Sequence, residues 1–241
     1  MTALHTAPKT AMVLAAGLGM RMRPLTLDKP KALVEVGGKA LIDHVLDRLV
    51  EAGVTRAVVN VHAFADQMET HLAQRTTPEI AISDERAGLL DSGGGVKRAR
   101  DLLGDDPVIV ANIDSLWIEQ DVPALAALTA AWDERRMDNL LLLADLTHTL
   151  GFDGAGDFFR AADGALTPRG EAASAPFGYM GFQILRPGLF DTVEETAFSI
   201  WPTWRRLVDV RRLHGTVFDG FWMHVGDPAA HAAAEARLRH G

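Results

Sequence analysis

The sequence predicts an α/β protein: a mixed, mainly parallel sheet flanked by helices, with a small accessory β/α lobe. Three observations predict it. From residue 10 to about 145, short apolar runs alternate with stretches of helical hydrophobic spacing, the pattern of β-α-β units in which a helix carries the chain back to start a parallel strand. From 151 to 185 the pattern gives way to glycine-rich chain with short strands. A composition of 48% hydrophobic residues over 241 positions is enough for one substantial core.

The elements follow in order. "TAMVLAAG" is a continuous apolar run ended by glycine, so it reads as a buried strand. In "KALIDHVLDRLVEAG" the apolar positions Leu41, Ile42, Val45, Leu46, Leu49 and Val50 fall on one helical face, and Gly53 stops the helix. "RAVVNVH" reads as a second strand, "ADQMETHLAQR" as a helix and "EIAISDE" as a third strand. "GGGVKRARDLLG" is expected to start a helix on its glycines, and "PVIVANID" to form a fourth strand. "DVPALAALTAAWDERR" is a predicted helix and "DNLLLLADL" another strand. Beyond them, "DFFRA", "ALTP" and "FGYMGFQIL" read as strands and "IWPTWRRLVDVRRL" as a helix. "HGTVF" and "FWMHV" are expected to form a strand pair, and "PAAHAAAEARLRH" a closing helix. The whole reads as Rossmann-like. Ligands of such sheets bind beyond the carboxyl ends of the strands. "GLGMRMRP", "SDERAGLLDSGGG" and "ANIDS" all sit at predicted strand ends.

Charge and composition narrow the function. The charged fraction of 23% is ordinary for a folded chain. A net charge of −8 disfavours general nucleic-acid binding. Three of the five lysines, Lys29, Lys31 and Lys39, nevertheless lie within eleven residues of one another. Lysine concentrated in one loop of an acidic protein suggests an anionic ligand. Cysteine is absent, so disulfide and thiolate chemistry are excluded. No apolar run approaches the ~18 residues of a membrane span. Lys9 followed by "AMVLAAGLGM" mimics a short signal peptide, but the run continues into a basic loop. A cytoplasmic protein, a monomer or small homo-oligomer with no nucleic-acid or membrane partner, is therefore expected.

That basic loop, within "AMVLAAGLGMRMRPLTLDKPKAL", carries the functional signal. A dinucleotide fingerprint needs a third glycine and a helix directly after it. Here Met22 holds the third position, and Pro24 and Pro30 oppose a helix. No G-x-x-x-x-G-K-[ST] phosphate loop occurs anywhere. A structural turn with solvated arginines remains as the bland alternative. Glycines let backbone N–H groups approach phosphate oxygens. Arg21 offers a planar fork and Lys31 a compact charge. Together they suit a polyphosphate.

At these residues the sequence resembles the sugar-1-phosphate nucleotidyltransferase family. The family's pattern L-A-x-G-x-G-x-R-[LM]-x-P-L-T is matched from Leu14 to Thr26, and its K-P-K segment by Lys29-Pro30-Lys31. The likeness continues through "DSGGG", "ANID", "GDF", "GYMGFQILRP" and "FWMHVGD". Within the family the chain looks most like the short N-acetylmuramate 1-phosphate uridylyltransferases of cell-wall recycling, through "SDERAGLLDSGGGV", Gly156-Asp157-Phe158 and its length. It is not expected to carry the β-helix acetyltransferase domain of bifunctional relatives. The resemblance implies a single nucleotidyltransferase domain over 1–241, with 10–145 as nucleotide-binding core and 146–241 as sugar-phosphate part and closing helix.

It also implies roles, position by position. Ala15, Ala16 and Gly17 would line the nucleotide, with backbone groups reading the base. Gly19 and Arg21 would hold the triphosphate, and Arg21 would stabilise the transition state. Lys31 would contact the reacting phosphates. Glu85, Ser92, Gly93 and Gly94 would lie on the base side, and Asp157 and Gly181 near the sugar. Asp114 would bind Mg²⁺. The implied reaction is attack of a sugar 1-phosphate on the α-phosphorus of a nucleoside triphosphate. Since two anions must meet, positioning and charge neutralisation do the chemical work. The substrates expected are UTP and N-acetylmuramate 1-phosphate. Guanylyl or thymidylyl transfer to another sugar is the alternative, and so is a catalytically silent nucleotide-sugar sensor.

Several residues keep a second reading. Asp114 could be a solvated loop residue or a helix cap, but the strand "VIVAN" delivers it to a sheet's carboxyl end. Relatives carry W-x-D-V-G where this chain has Trp222-Met223-His224-Val225-Gly226, followed by Asp227. An imidazole suits Mg²⁺ less well than a carboxylate. Three arrangements are open: His224 ligates the metal, Asp227 substitutes for the lost carboxylate, or Asp114 holds the ion with phosphates and water alone. Position favours His224 near the metal. Asp91 could touch the ribose or cap the helix after it. For Arg23, support of the loop by pairing with an acidic neighbour stands beside phosphate contact. His62, His71 and His148 lack metal spacing and read as ordinary polar residues. Trp201 and Trp204 read as packing rather than as a sugar platform.

Overall fold

The computed structural model describes residues 7–240, so the extreme ends of the 1–241 domain expected above lie outside the described residues. Its strands are β1 (Thr10–Leu14), β2 (Glu35–Val36), β3 (Lys39–Ala40), β4 (Arg56–Val61), β5 (Glu79–Asp84), β6 (Val108–Asn112), β7 (Ser115–Glu119) and β8 (Asn139–Asp145). They continue as β9 (Thr149–Leu150), β10 (Phe158–Arg160), β11 (Leu166–Pro168), β12 (Phe177–Leu185), β13 (Leu213–Val217) and β14 (Gly220–His224). The helices are α1 (Leu41–Glu51), α2 (Ala65–Leu72), α3 (Asp91–Arg98), α4 (Arg100–Leu103), α5 (Ala124–Ala131), α6 (Trp201–Asp209) and α7 (Pro228–His240).

The main sheet has nine strands. Its body runs β5-β4-β1-β6-β12-β8-β13, and the β10–β11 hairpin joins the start of β12 through Phe158 and Phe177. β12 is antiparallel to both β6 and β8, and the other pairings along the body are parallel. The exception has a local cause. A hairpin rather than a crossover helix leads into β12, so the chain enters the sheet from the opposite end. The fold is thus the mixed, mainly parallel α/β architecture expected. The accessory part is a three-stranded sheet, β7-β14-β9, closed by α7.

Two faces of the sheet carry two cores. Along β1, Ala11 and Val13 pack into one core and Met12 into the other. β4 divides in the same way, with Ala57, Val59 and Val61 on one side and Val58 on the opposite side. This is the strand period of two in a sheet covered on both faces. α1, α2 and α5 cover the first face, and α3, α4 and α6 the second. In α1 the predicted stripe is buried at Leu41, Ile42, Val45, Leu46 and Leu49. Trp204 is buried edge-on against Tyr179, and Trp201 stacks on Phe158 with centroids 5.5 Å apart, so both tryptophans pack. The run resembling a signal peptide supplies the central strand β1, hydrogen-bonded on both edges.

Three local expectations need correction. β13 and β14 do not pair with each other. β13 extends the main sheet beside β8, while β14 pairs with β7 and β9. The glycines do not start α3. It begins at Asp91, which adopts a positive φ of 61°. The strand β7, only two residues beyond β6, carries no turn signal to separate it and went unseen. Among the described residues no helix is long and apolar enough to cross a membrane.

Candidate active site

The carboxyl ends of β1, β4, β5 and β6 open onto one cleft with two halves. The first, of about 360 Å³, is bordered by the loop 17–22, Lys31, Asp114 and Gly226. The second, of about 310 Å³, is bordered by Ala16, Asn60, Glu85, Asp91 and Ser92. Leu14, Gly17, Leu89 and Asn112 border both.

The loop of the first half is folded back on itself. Gly19 takes a left-handed φ of 60°, and the Gly19 carbonyl accepts from Met22 N at 2.9 Å and Thr26 Oγ1 at 2.8 Å. A side chain at 19 would stand 3.0 Å from the Lys31 Cβ, so glycine here permits both the turn and the close approach of Lys31. Met22 is fully buried and anchors the loop, which leaves Gly17 and Arg21 exposed at the cleft. Among the described residues, its chain neighbours aside, nothing lies within 4 Å of where a Gly17 side chain would project. No ion pair or hydrogen bond holds the Arg21 guanidinium among the described residues, so it is available to an anionic ligand. Arg23 is likewise exposed, and among the described residues it has no acidic partner of the kind a supporting role requires.

Asp114 is the centre of this half. Its Oδ2 accepts from Lys31 Nζ at 2.8 Å, and His224 Nε2 stands 3.5 Å from the same oxygen. Residues 110 apart in sequence meet because β14 pairs antiparallel with β7, setting His224 opposite Ser115. Val225 N also donates to the Asp114 carbonyl at 2.8 Å. Gly226 leaves the imidazole its space, since a Cβ there would fall 2.7 Å from the ring. Burial pushes the Asp114 carboxyl up, but His224 and Lys31 outweigh burial and hold it well below the usual carboxylate range. Burial pulls the His224 imidazole down, yet the Asp114 carboxylate raises it above its ordinary value. His224 Nδ1–H donates to the Gly151 carbonyl at 3.1 Å, which turns Nε2 toward Asp114.

This donor set bears on a metal. Among the described residues no hydrogen bond or ion pair reaches Asp114 Oδ1, and an imidazole stands beside the carboxylate. Among the described residues no three acidic or histidine side chains form a cage. Mg²⁺ is commonly held by one or two carboxylates together with substrate phosphates and water. One carboxylate beside a polyphosphate cleft fits that habit. The Oδ1 of Asp227 accepts from Ala230 N at 2.9 Å and caps α7.

The second half is built on Asn60, at the penultimate position of β4. Its Oδ1 accepts from Ala15 N at 2.6 Å and Ala16 N at 3.2 Å, and its Nδ2 donates to Glu85 Oε1 at 2.8 Å. The Ala15 and Ala16 amides expected to read a base are therefore already engaged. Sequence reading missed Asn60, because a single asparagine in an apolar strand carries no motif. Burial pushes the Glu85 carboxyl up, with the Asn60 hydrogen bond opposing it. Among the described residues the buried Glu85 Oε2 has no hydrogen-bond partner. Gly95 makes room for this pair, since a Cβ would stand 3.0 Å from Asn60 Nδ2 and 3.1 Å from Glu85 Oε1. Replacing Asn60 with alanine would strand two amides and a carboxylate oxygen. We expect a loss of about 2–4 kcal/mol of stability, read by urea unfolding, and a raised KM for the nucleotide. A loss below ~1 kcal/mol with an unchanged KM would show that the network has no such role.

The glycines of α3 face elsewhere. Gly93 N and Gly94 N donate to the Phe198 carbonyl at 2.9 and 3.0 Å. A side chain at Gly93 would fall 2.4 Å from the Phe198 ring. Gly93 therefore seats the segment 196–200 and does not face the cleft, a correction to its expected base-side role. Ser92 borders the cleft while its Oγ accepts from Ile200 N at 3.0 Å. Asp91 also borders it, and its Oδ1 accepts from Ser92 N at 2.6 Å. Asp157 and Gly181, expected near the sugar, do not border either half. Asp157 Oδ2 accepts from Tyr179 N at 2.9 Å, and Gly181 lies against Asn112. His62, His71 and His148 bond to Glu85 O, Asp43 and Thr147, as ordinary polar residues do.

Comparison with known proteins fits this arrangement. The description of the nucleotidyl transferase family matches residues 10–145, more than half of the chain. The chain belongs to the sugar-1-phosphate nucleotidyltransferase family. An N-acetylmuramate alpha-1-phosphate uridylyltransferase of Caulobacter vibrioides is 56% identical to this nucleotidyltransferase over 239 residues, 98% of this chain and 99% of that protein. A protein of the same name from Neisseria meningitidis serogroup B is 35% identical over 219 residues, covering 90% and 92% of the two chains. A mannose-1-phosphate guanyltransferase of Neurospora crassa is 32% identical over 230 residues, 90% of this chain and 61% of that protein. In fold, an inositol-1-phosphate CTP transferase from T. maritima superposes with a TM-score of 0.79 at 17% identity, covering 99% of each chain.

Proposed function

We propose that this nucleotidyltransferase joins UTP to N-acetylmuramate 1-phosphate, releasing pyrophosphate, in the recycling of cell-wall sugar in the cytoplasm. The observation that carries this reading is the 56% identity over 98% of the chain to the Caulobacter uridylyltransferase. The cleft agrees with it chemically. A phosphate oxygen of the sugar 1-phosphate attacks the α-phosphorus, the α–β bridging P–O bond breaks, and pyrophosphate leaves with the bonding pair. The nucleophile is already an anion, so no base is needed. Catalysis then consists of bringing anions together and neutralising charge. Unpartnered Arg21 meets the β- and γ-phosphates and the charge that develops on the leaving group. Lys31, fixed by Asp114 and the turn at Gly19, bridges the reacting phosphates. Asp114, with His224 beside it, would hold Mg²⁺, which would supply neutralisation of phosphate charge.

The base is less sharply chosen. Glu85 borders the second half of the cleft, and a carboxylate oxygen accepts equally from uracil N3–H or guanine N1–H. Guanylyl transfer is the second reading, supported by the 32% identity to the guanyltransferase of Neurospora crassa. A competition experiment decides between them. The protein is given equimolar UTP, GTP, dTTP and CTP with N-acetylmuramate, N-acetylglucosamine and mannose 1-phosphates, and products are resolved by mass. UDP-N-acetylmuramate is expected to dominate. A guanosine product in its place would remove the uridylyl assignment.

A further inference from the structure

Of the four residues that border both halves of the cleft, Asn112 alone brings a polar side chain to their junction. The side chain is half-buried and makes no hydrogen bond among the described residues. Its placement is built into the sheet. Asn112 ends β6, two residues before Asp114, next to β12. On β12, Gly181 lies where the register against β8 shifts, with a left-handed φ of 83°. A Cβ at 181 would stand 3.0 Å from Asn112 Cβ and 3.2 Å from Asn112 Nδ2. The missing side chain at 181 thus leaves the carboxamide its space.

A nucleoside triphosphate lying across the cleft has its base in one half and its phosphates in the other. The ribose must therefore cross the junction. Ribose hydroxyls donate and accept, and a carboxamide offers both an acceptor oxygen and an N–H donor. We propose that Asn112 reads the ribose cis-diol of the nucleotide and makes the enzyme selective for ribonucleotides. This rests on the reading of the cleft as a nucleoside triphosphate site, but not on which base it takes. A site built to hydrogen-bond a hydroxyl disfavours the analogue that lacks it, because its own polar group is left unpaired. Asp91 is the rival within the same cleft. It is exposed and borders only the base half, with one carboxylate oxygen already on Ser92 N.

The test is calorimetric binding to the full chain in Mg²⁺ buffer without sugar phosphate. The ligands are UTP with its 2′-deoxy and 3′-deoxy analogues, and the matching guanosine set. Wild type should lose about five- to tenfold in affinity when the hydroxyl held by Asn112 is removed. Asn112→Ala should bind the ribonucleotide as weakly as wild type binds that deoxy analogue, and should be indifferent to the missing hydroxyl. Asn112→Ser, a smaller change to the strand end, should behave alike if the alanine variant folds poorly. Asp91→Ala should keep the penalty. A wild type indifferent to both hydroxyls, an Asn112→Ala that retains the penalty, or an Asp91→Ala that abolishes it would overturn the proposal while leaving the nucleotide site standing. Failure of every ribonucleotide to bind would overturn the nucleotide reading and this proposal with it.

Discussion

Asp114→Ala is expected to lower kcat by on the order of 10³-fold while the protein remains folded. Asp114 is where the cations of the cleft converge. Lys31 donates to it at 2.8 Å and His224 stands 3.5 Å away, both on Oδ2. Removing the carboxylate releases Lys31 from its position, takes away an oxygen that suits a hard metal ion, and strips the His224 imidazole of the carboxylate that raises it. Stability should fall by about 1–3 kcal/mol, less than for a deeply buried pair because a fifth of the Asp114 side chain remains exposed. The fold survives because β6, β7 and β14 are held by backbone ladders that do not involve this carboxylate. Steady-state kinetics beside a thermal melt separates the two effects. A folded variant with more than a tenth of wild-type kcat would remove Asp114 from the mechanism.

Arg21→Ala should lower kcat by about 10²- to 10³-fold, as loss of a charge stabiliser for the leaving group does, with stability changed by less than ~0.5 kcal/mol. The contrast with Asp114 follows from geometry. Arg21 is exposed on a turn that the Gly19 carbonyl and buried Met22 hold without its help. Arg21→Lys should recover only part of the rate, since an ammonium cannot reproduce the planar fork. Unfolding free energies and kcat measured on the same preparations check both statements. An Arg21→Ala protein that is destabilised by several kcal/mol would show the residue to be structural.

Much of the fold was legible because its strands and helices announce their periods. The stripe on α1 and the apolar runs of β1, β4 and β6 are local patterns, and each formed where expected. β13 and β14 were legible as strands but not as partners, because pairing is decided by which sheet has a free edge. The site divides in the same way. Gly19, Arg21 and Lys31 lie close in sequence within one motif, and the structure brings all three to the cleft. Asn60 and Asn112 carry no motif, and their importance comes from what crosses over to meet them. Asn60 collects two amides just beyond β1 and a carboxylate just beyond β5. His224 shows the mixed case. Its position in the pattern pointed to the metal neighbourhood, but only the β14–β7 register explains how it reaches Asp114. Gly93 misled because a glycine run at a helix start suggests a ligand cradle, whereas Phe198 occupies that space.

The central claim is that the cleft carrying Arg21, Lys31 and Asp114 releases pyrophosphate from a nucleoside triphosphate only when a sugar 1-phosphate attacks. Its most direct measurement is pyrophosphate release by the purified protein in Mg²⁺, with UTP alone and with N-acetylmuramate 1-phosphate added. Release should appear only when both substrates are present, should stop when EDTA removes the metal, and should be lost in Asp114→Ala. Release from UTP alone at the same rate, or none with any pairing of triphosphate and sugar 1-phosphate, would contradict it.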